Sequence, residues 1–419
     1  MRTVEEHQRV VAALLHRRAP VSVPIADALG LVLADDVVAP LSLPGFDNSA
    51  MDGYAVLADD VEAATPERPV LLPVAEDIPA GRTDLLTLEP GTAHRIMTGA
   101  MLPSGATAVV PVEATNAATD TVEIRAGARP GQHIRRAGED VAAGNTVLRA
   151  GQVLTPAALG LAAALGLGEL PVIPRQRVLV MSTGTELVAP GTPLQPGQIY
   201  ESNAVMLVAA MRDAGADVMT SVMTGDDVAS FRDALARHVG SDQARADLIV
   251  TTGGVSAGAY EVVKDALGAG PSATSGIGGS VDFVKVAMQP GMPQGAGTVA
   301  GAGGPGTSGR STPIITLPGN PVSALVSFEV FIRAPLRAAM GLPNPERPRR
   351  SAVLTEDLTS PRGKRQFRRG VLDGDTVTSY GPPASHHLRW LASANCLLEI
   401  AEDVDALPAG SRVDVWDLT

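Results

Sequence analysis

The chain holds a single cysteine, Cys396, in 419 residues, which excludes an internal disulfide and any cysteine-rich zinc or iron–sulfur centre. Aromatic residues make up only 3% of it, against 45% hydrophobic residues in all, so the core has to be built from alanine, valine and leucine. No apolar run approaches the roughly 20 residues needed to span a bilayer, and the opening Met-Arg-Thr-Val-Glu-Glu-His lacks the charged-then-apolar order of a signal peptide. Both absences point to a cytoplasmic protein. Positive charge is scarce as well. A formal net charge of −12 argues against nucleic acid as the main partner, because binding a phosphate backbone needs a positive footprint. Familiar catalytic signatures are also missing: no Gly-Lys-Ser or Gly-Lys-Thr phosphate loop, no Rossmann fingerprint, no serine-hydrolase elbow, no HExxH helix, and no ligand spacing among the seven histidines.

Glycine, by contrast, is abundant, and it falls at the ends of apolar runs. Asp247-Leu-Ile-Val-Thr-Thr-Gly-Gly-Val-Ser-Ala-Gly258 is the central example, flanked by Arg177-Val-Leu-Val-Met-Ser-Thr-Gly-Thr-Glu186 and Pro313-Ile-Ile-Thr-Leu-Pro-Gly-Asn-Pro-Val-Ser323. A short β-branched run reads as a buried parallel strand, and the glycines after it let backbone N–H groups approach an anion. Helical patterns alternate with these runs: strand 177–183, helix 202–214, strand 216–223, helix 228–239, strand 247–252, a helix from Tyr260, strands 281–287 and 313–317, and helix 321–340. This alternation predicts a mostly parallel α/β sheet, its turns gathered where open sheets bind a nucleotide-like or phosphate-bearing ligand. The stretches 268–280 and 295–311, made of Gly, Ala, Ser, Thr and Pro, read as flexible loops.

Around this centre the composition changes. An amphipathic helix is expected over 3–17 and a short one over 25–29, with an Ala/Leu-rich helical stretch over 148–170 expected to pack beside the first. Short strands broken by Pro and Gly fill 57–134 as a β-rich insert. A Pro- and Arg-rich linker near 343–350 leads into a small β-domain or barrel. The expected division is therefore residues 1–43 plus 135–175 as a small helical scaffold domain, 44–134 as the inserted β-rich domain, 176–341 as the α/β domain and 342–419 as the C-terminal β-domain.

Acid and amide side chains carry what chemistry remains. Asp47, Asn48, Ser49 and Asp52 crowd one loop, either as a carboxylate pair for metal or proton work or as an Asx-turn. Arg135 and Arg136 stand beside Glu139 and Asp140, suited to an anionic ligand, an ion pair or a solvated loop. Asp140, Glu186, Asp226 and Glu261 lie at or beside predicted turns, and Lys285 follows a strand-like run. Carboxylates next to a phosphate cradle favour magnesium, although Asp226 and Asp227 also suit helix caps and Glu186 a turn. The basic run 362–369 fits either an anion site or a protected strand edge.

Seven motifs then fall into one order: Asp47-Asn-Ser-Ala-Met-Asp-Gly-Tyr-Ala55, Arg95-Ile-Met-Thr-Gly-Ala100, Ile134-Arg-Arg-Ala-Gly-Glu-Asp140, Ser182-Thr-Gly-Thr-Glu-Leu187, Gly197-Gln-Ile-Tyr200, Gly253-Gly-Val-Ser256 and Leu317-Pro-Gly-Asn-Pro-Val-Ser323. In that order they resemble the molybdopterin molybdenumtransferase family, MoeA and the gephyrin E-domain, over nearly the whole chain. The resemblance implies four domains, an elongated homodimer, and insertion of molybdenum from molybdate into adenylylated molybdopterin with release of AMP. It implies a site shared between subunits, with Asp52 and Thr98 on the insert side and Arg135 and Asp140 holding that side near the ligand. Glu186, Asp226 and Glu261 would act with magnesium or molybdate. Gly253, Gly254, Ser256, Gly319, Asn320, Pro321 and Ser323 would cradle the pterin phosphate, with Thr183, Gly184, Lys285 and Ser385 nearby. A molybdopterin adenylyltransferase is a further expected partner. Against the usual pattern, Thr185 stands where an aspartate is frequent, Glu261 where an aspartate is usual, and Gln289 and Met292 where lysines are common. The alternatives are a molybdopterin adenylyltransferase, which resembles the α/β part alone, a non-enzymatic dimeric scaffold, and a tungstate-handling paralogue.

Overall fold

A computed structural model describes residues 1–239, 245–254, 262–267, 277–301 and 311–419. Two compact units divide the chain: Met1–Val21 with Ile173–Thr419, and Ser22–Val172.

The centre of the first unit is a six-stranded sheet. Its order is Asp217–Thr224, Arg177–Thr183, Leu248–Thr252, Thr312–Leu317, Pro293–Gly301 and Ile277–Lys285. The first four strands run parallel, and the last two pair antiparallel as a hairpin-like edge. Alternation along each strand explains the layers. Val178, Val180, Leu248 and Val250 point into a cluster with the helices Asn203–Asp213 and Pro321–Ser327. Leu179, Met181 and Ile249 point the other way, toward Val228–Val239 and Val262–Leu267. The parallel α/β reading therefore holds.

Three local expectations change. Within the glycine-rich stretches, 277–280 and 295–301 are paired strand and not loop. Their small residues are required by close approach: a Cβ on Gly297 would sit 2.0 Å from the Ser280 carbonyl oxygen, and one on Gly295 would sit 2.1 Å from Thr316 Oγ1. Residues 268–276 and 302–310 of those stretches lie outside the described residues. The expected helix 321–340 is broken by a π-helical turn, Phe328–Ile332, which buries Glu329 against Arg333 and Arg347. The N-terminal helix Val4–Leu14, with a Thr3/Glu6 capping box, packs Val4 and Val11 into the α/β core, whereas the helix Pro156–Ala164 belongs to the other unit. His7 meets Phe331 edge-on at 4.7 Å.

The C-terminal region is a barrel. Arg365–Asp373, Thr376–Ser379, Arg349–Leu354, Arg412–Asp417 and Cys396–Ile400 pair in that cycle, and the last strand pairs back to the first. Cys396 is buried in its core, where a Cβ on Gly370 would meet its sulfur at 2.8 Å. Burial pushes its thiol pKa up to about 12. The basic run is neither a plain edge nor an open anion site. Arg365 pairs with Glu5, Glu399 and Glu402, and Arg369 is buried.

In the second unit a five-stranded sheet, Ala108–Pro111, Gly53–Val56, Ala93–Ile96, Val70–Ile78 and Thr121–Ile124, forms the expected β-rich region. Tyr54 and Val56 face one cluster, Ala55 the other. The helix Pro156–Ala164, capped by Thr155, packs on Ala28, Leu33 and Leu170. Residues 25–29 form only a 3-10 turn, Ile25–Asp27. Among the described residues, no helix is long and apolar enough to cross a membrane.

Candidate functional site

Two clusters gather the candidate residues, one in each unit. In the first unit, the carboxyl ends of the parallel strands open into a cleft of about 580 Å³. Ser182, Thr183, Gly184 and Glu186 come from the first strand and its turn, Asp226 from the turn after 217–224, and Thr252, Gly253 and Gly254 from the central strand. Gly319, Asn320 and Pro321 come from the third turn, so the three glycine-bearing turns do converge.

The central turn must be glycine. Gly253 and Gly254 have φ of +92° and +64°, and a Cβ on Gly253 would lie 2.9 Å from the Thr183 carbonyl oxygen. Asn203 laces the turns together: its amide donates to the Gly319 carbonyl at 2.6 Å and to Thr252 Oγ1 at 3.1 Å. Thr252 Oγ1 in turn donates to the Pro318 carbonyl. Among the described residues the Asn203 Oδ1 and the Ser182 and Thr183 hydroxyls have no partner, which leaves polar atoms at the cleft wall.

The carboxylates sort themselves by their donors. Asp227 caps the helix Val228–Val239 by accepting from the Ser230 N–H at 2.7 Å, and this bonding lowers its pKa. Asp226 does not cap; its Oδ2 accepts from the Thr185 N–H at 3.1 Å and from Thr185 Oγ1 at 3.0 Å. Thr185, where the resemblance leads to an aspartate, thus supplies a donor to Asp226 and no third negative charge. The Glu186 carboxylate lies over Gly184, where a Cβ would come within 2.6 Å of it. Glu201, also on the wall, caps the helix Asn203–Asp213 through the Ala204 N–H.

The cleft continues past the turn at Pro318 into a second part of about 380 Å³. Gln289, Met292, Ser323 and Ser385 line it, and His386 lines both parts. No Lys or Arg lines either part among the described residues. Lys285 is exposed at the end of its strand and lines neither. Ser256 and Glu261 lie outside the described residues. Sequence reasoning missed Asn203, Glu201 and His386. Glu201 and Asn203 sit one and three residues beyond Gly197-Gln-Ile-Tyr200, at a helix start, and His386 follows Ser385 in a Pro-rich turn; only the fold turns them inward.

The second cluster is in the other unit. Pairing of Arg135 with Asn48 lays Ile134–Arg135 beside Asn48–Ser49. The segment 97–100 joins them through Gly99 N–H to the Ser49 carbonyl and Ser49 N–H to the Ala100 carbonyl. Asp52 Oδ1 accepts from both the N–H and the hydroxyl of Thr98, each at 2.6 Å, and those bonds hold its carboxyl below the usual range. The expected pairing of Asp47 with Asp52 does not form. Asp47 is taken by the Ala137 N–H at 2.8 Å and the Arg136 guanidinium at 2.5 Å, which lower its pKa. Asp47 is therefore a structural clasp. The Asx-turn alternative fails for Asp47 too; the local turn is made by Ser49 Oγ, which accepts from the Met51 N–H. Arg135 and Asp140 are exposed, with no side-chain partner among the described residues.

Glycine-bearing turns at the carboxyl ends of a parallel sheet, with carboxylates and orphaned hydroxyls on the wall, define an α/β domain of the ligand-binding type. The comparisons with known proteins agree along the whole chain. The family model "MoeA N-terminal region (domain I and II)" matches residues 2–166, "Probable molybdopterin binding domain" matches 179–338, and "MoeA C-terminal region (domain IV)" matches 351–418. Molybdopterin molybdenumtransferase 2 of Mycobacterium tuberculosis is 68% identical over 421 residues, covering 100% of both chains. The molybdopterin molybdenumtransferase of Haemophilus influenzae is 34% identical, covering 93% of this chain and 92% of its own. The crystal structure of a molybdopterin biosynthesis MoeA protein from Pyrococcus horikoshii superposes with a TM-score of 0.77 at 28% identity, covering 100% of this chain and 99% of that one. The chain belongs to the molybdopterin molybdenumtransferase family and is a transferase of molybdenum cofactor biosynthesis. The adenylyltransferase and scaffold alternatives are not favoured.

Proposed function

We propose that the cleft binds adenylylated molybdopterin and that the protein inserts molybdenum from molybdate into it, releasing AMP. The observation that carries this is the pooling of Glu186 and Asp226 with three glycine-bearing turns in one cleft that no Lys or Arg lines among the described residues. Such a wall repels a phosphate anhydride unless a cation arrives with it, so the residues present fit magnesium, which favours one or two carboxylates together with substrate phosphates. Glu186 and Asp226 would hold the ion, with Glu261 as a third carboxylate of the same assignment. When bound, it neutralises the phosphates' charge and polarises the anhydride.

The protein's own residues supply positioning. Gly253 and Gly254 let the backbone approach the phosphate, beside Thr183 and Gly184. Asn203 fixes the turns that bear Thr252 and Gly319, and Thr185 aims the Asp226 carboxylate. Asn320, Ser323 and Ser385 line the second part, where molybdate would sit as substrate, and Pro321 lines the first; Ser256 and Lys285 enter the assignment through the family resemblance alone. Asp52, kept ionised by Thr98, serves with Arg135 and Asp140 as a second group of ligand contacts; at neutral pH it accepts hydrogen bonds and does not donate a proton. A cytoplasmic homodimer served by a molybdopterin adenylyltransferase belongs to the same proposal. So does a four-part division at residues 44, 135, 176 and 342, with the helix Val4–Leu14 seated on the α/β part.

The test is AMP release from adenylylated molybdopterin with molybdate and magnesium, followed together with active cofactor. Chelation of magnesium by EDTA is expected to abolish both, and tungstate to compete with molybdate. AMP release that is indifferent to EDTA and to molybdate would overturn the assignment. Asp52→Asn and Glu186→Gln should each be inactive yet folded. Recovery of activity on mixing them would show that the two clusters act from different chains, and sedimentation velocity would give the oligomeric state.

A further inference from the structure

The second part of the cleft is walled on one side by residues 383–386, within a segment, 382–387, that follows the barrel strand Thr376–Ser379 and has no regular structure of its own. Its path is set by one side chain. Arg369, on the barrel strand Arg365–Asp373, is 3% exposed. Its guanidinium donates to the carbonyls of Ala384 at 3.3 Å, of His387 at 3.1 Å and of Pro382. No carboxylate pairs with it among the described residues, and its burial, together with the neighbouring Arg368, lowers its pKa. A cation taken out of water without a counter-ion is costly, and a barrel wall at this position would be as well filled by leucine. What leucine cannot do is hold three carbonyl oxygens at once, a task for the planar fork of arginine.

The clasped segment reaches the cleft. The Ser385 carbonyl accepts from the Val322 N–H at 3.1 Å, which ties the segment to the turn bearing Asn320 and Pro321. Ser385 lines the second part, and His386 stands where the two parts meet. Upstream, Gly381 (φ +76°) turns the chain beneath Trp390, where a Cβ would strike the indole at 2.4 Å.

We propose that Arg369 is a positioning residue for molybdenum transfer: by gripping the carbonyls of Pro382, Ala384 and His387 it fixes Ser385 and His386 at the junction of the two parts of the cleft. This rests on the assignment of that cleft to the pterin and molybdate. Arg369 touches neither ligand and acts through the segment.

Arg369→Leu and Arg369→Lys test it, with steady-state kinetics for molybdate and acrylamide quenching of tryptophan fluorescence. Trp416 is 5% exposed, so quenching reports chiefly on Trp390 beside the segment. For Arg369→Leu we expect the molybdate KM to rise about tenfold, kcat to fall about tenfold and quenching to increase, with the far-UV circular dichroism of the wild type. Arg369→Lys, which keeps the charge but gathers its donors on one nitrogen in place of the fork, should fall between. Loss of folded protein alone would lower kcat and the circular dichroism together and leave KM in place. If Arg369→Leu does not fold, Arg369→Lys carries the same comparison. Wild-type KM and quenching in a folded variant would overturn the inference, as would lost activity with unchanged quenching. If the wild type releases no AMP, the assignment of the cleft falls instead, while the quenching comparison still decides whether Arg369 holds the segment.

Discussion

Asp52 and Thr98 form a pair whose chemistry follows from two short hydrogen bonds at one carboxylate oxygen. The folded Asp52 pKa is depressed, so its charge is present at neutral pH and is lost only as pH falls through that lowered value. Removing the hydroxyl in Thr98→Val leaves the backbone N–H and returns the pKa part of the way toward 3.8. The acid limb of the pH–rate profile should then move to higher pH, with little change above neutrality. An unmoved acid limb would detach Asp52 from the rate. Much of this site was legible before folding, because glycines at strand ends and acids beside them leave a linear trace. Thr185 was not legible in the same way. Read in the chain it is an absent carboxylate, and only the fold shows it donating to Asp226 across 41 positions. Asn203 and His386 were hidden for the same reason, since partners brought together by a sheet crossover leave no spacing to read.

Secondary elements with strong periodicity were read nearly to the residue, as the helix Val228–Val239 illustrates. Failures came where tertiary contact overrides local preference. The strand Pro293–Gly301 reads from 295 onward as flexible loop because its neighbours leave no room for side chains at Gly295 and Gly297. The helix Val4–Leu14 was expected from its apolar spacing, but nothing in that spacing names the surface it covers. That surface makes a prediction. His7 is fully buried against Phe331, and burial, with Arg2 beside it, lowers its pKa from 6.5 to about 4. The unfolded chain binds the proton first. The neutral ring's contribution is therefore complete above pH 6.5 and is withdrawn as pH falls toward 4, by at most about 3 kcal/mol at ~1.4 kcal/mol per tenfold in proton affinity. Urea midpoints from pH 7 to 4 should fall more steeply for the wild type than for His7→Leu. Parallel pH profiles would show that His7 is not the titrating group.

At the scale of the molecule, the α/β sheet, the β-rich sheet and the barrel each carry their own apolar cluster, and aliphatic side chains dominate all three. This is the solution open to a chain with few aromatics. Length and composition already implied several domains; which termini join which core was beyond them, and the first 21 residues belong with the C-terminal unit. The barrel contains the chain's only thiol, packed against Gly370 with its pKa near 12. Almost none of that sulfur is thiolate at pH 8, and alkylating reagents need thiolate. Iodoacetamide should therefore modify the native protein only when the barrel opens, so the labelling half-life becomes a stopwatch for opening. Free-cysteine speed under native conditions would contradict the burial. Otherwise, one sulfur atom converts a mass spectrum into a census of how often each molecule lets its barrel come apart.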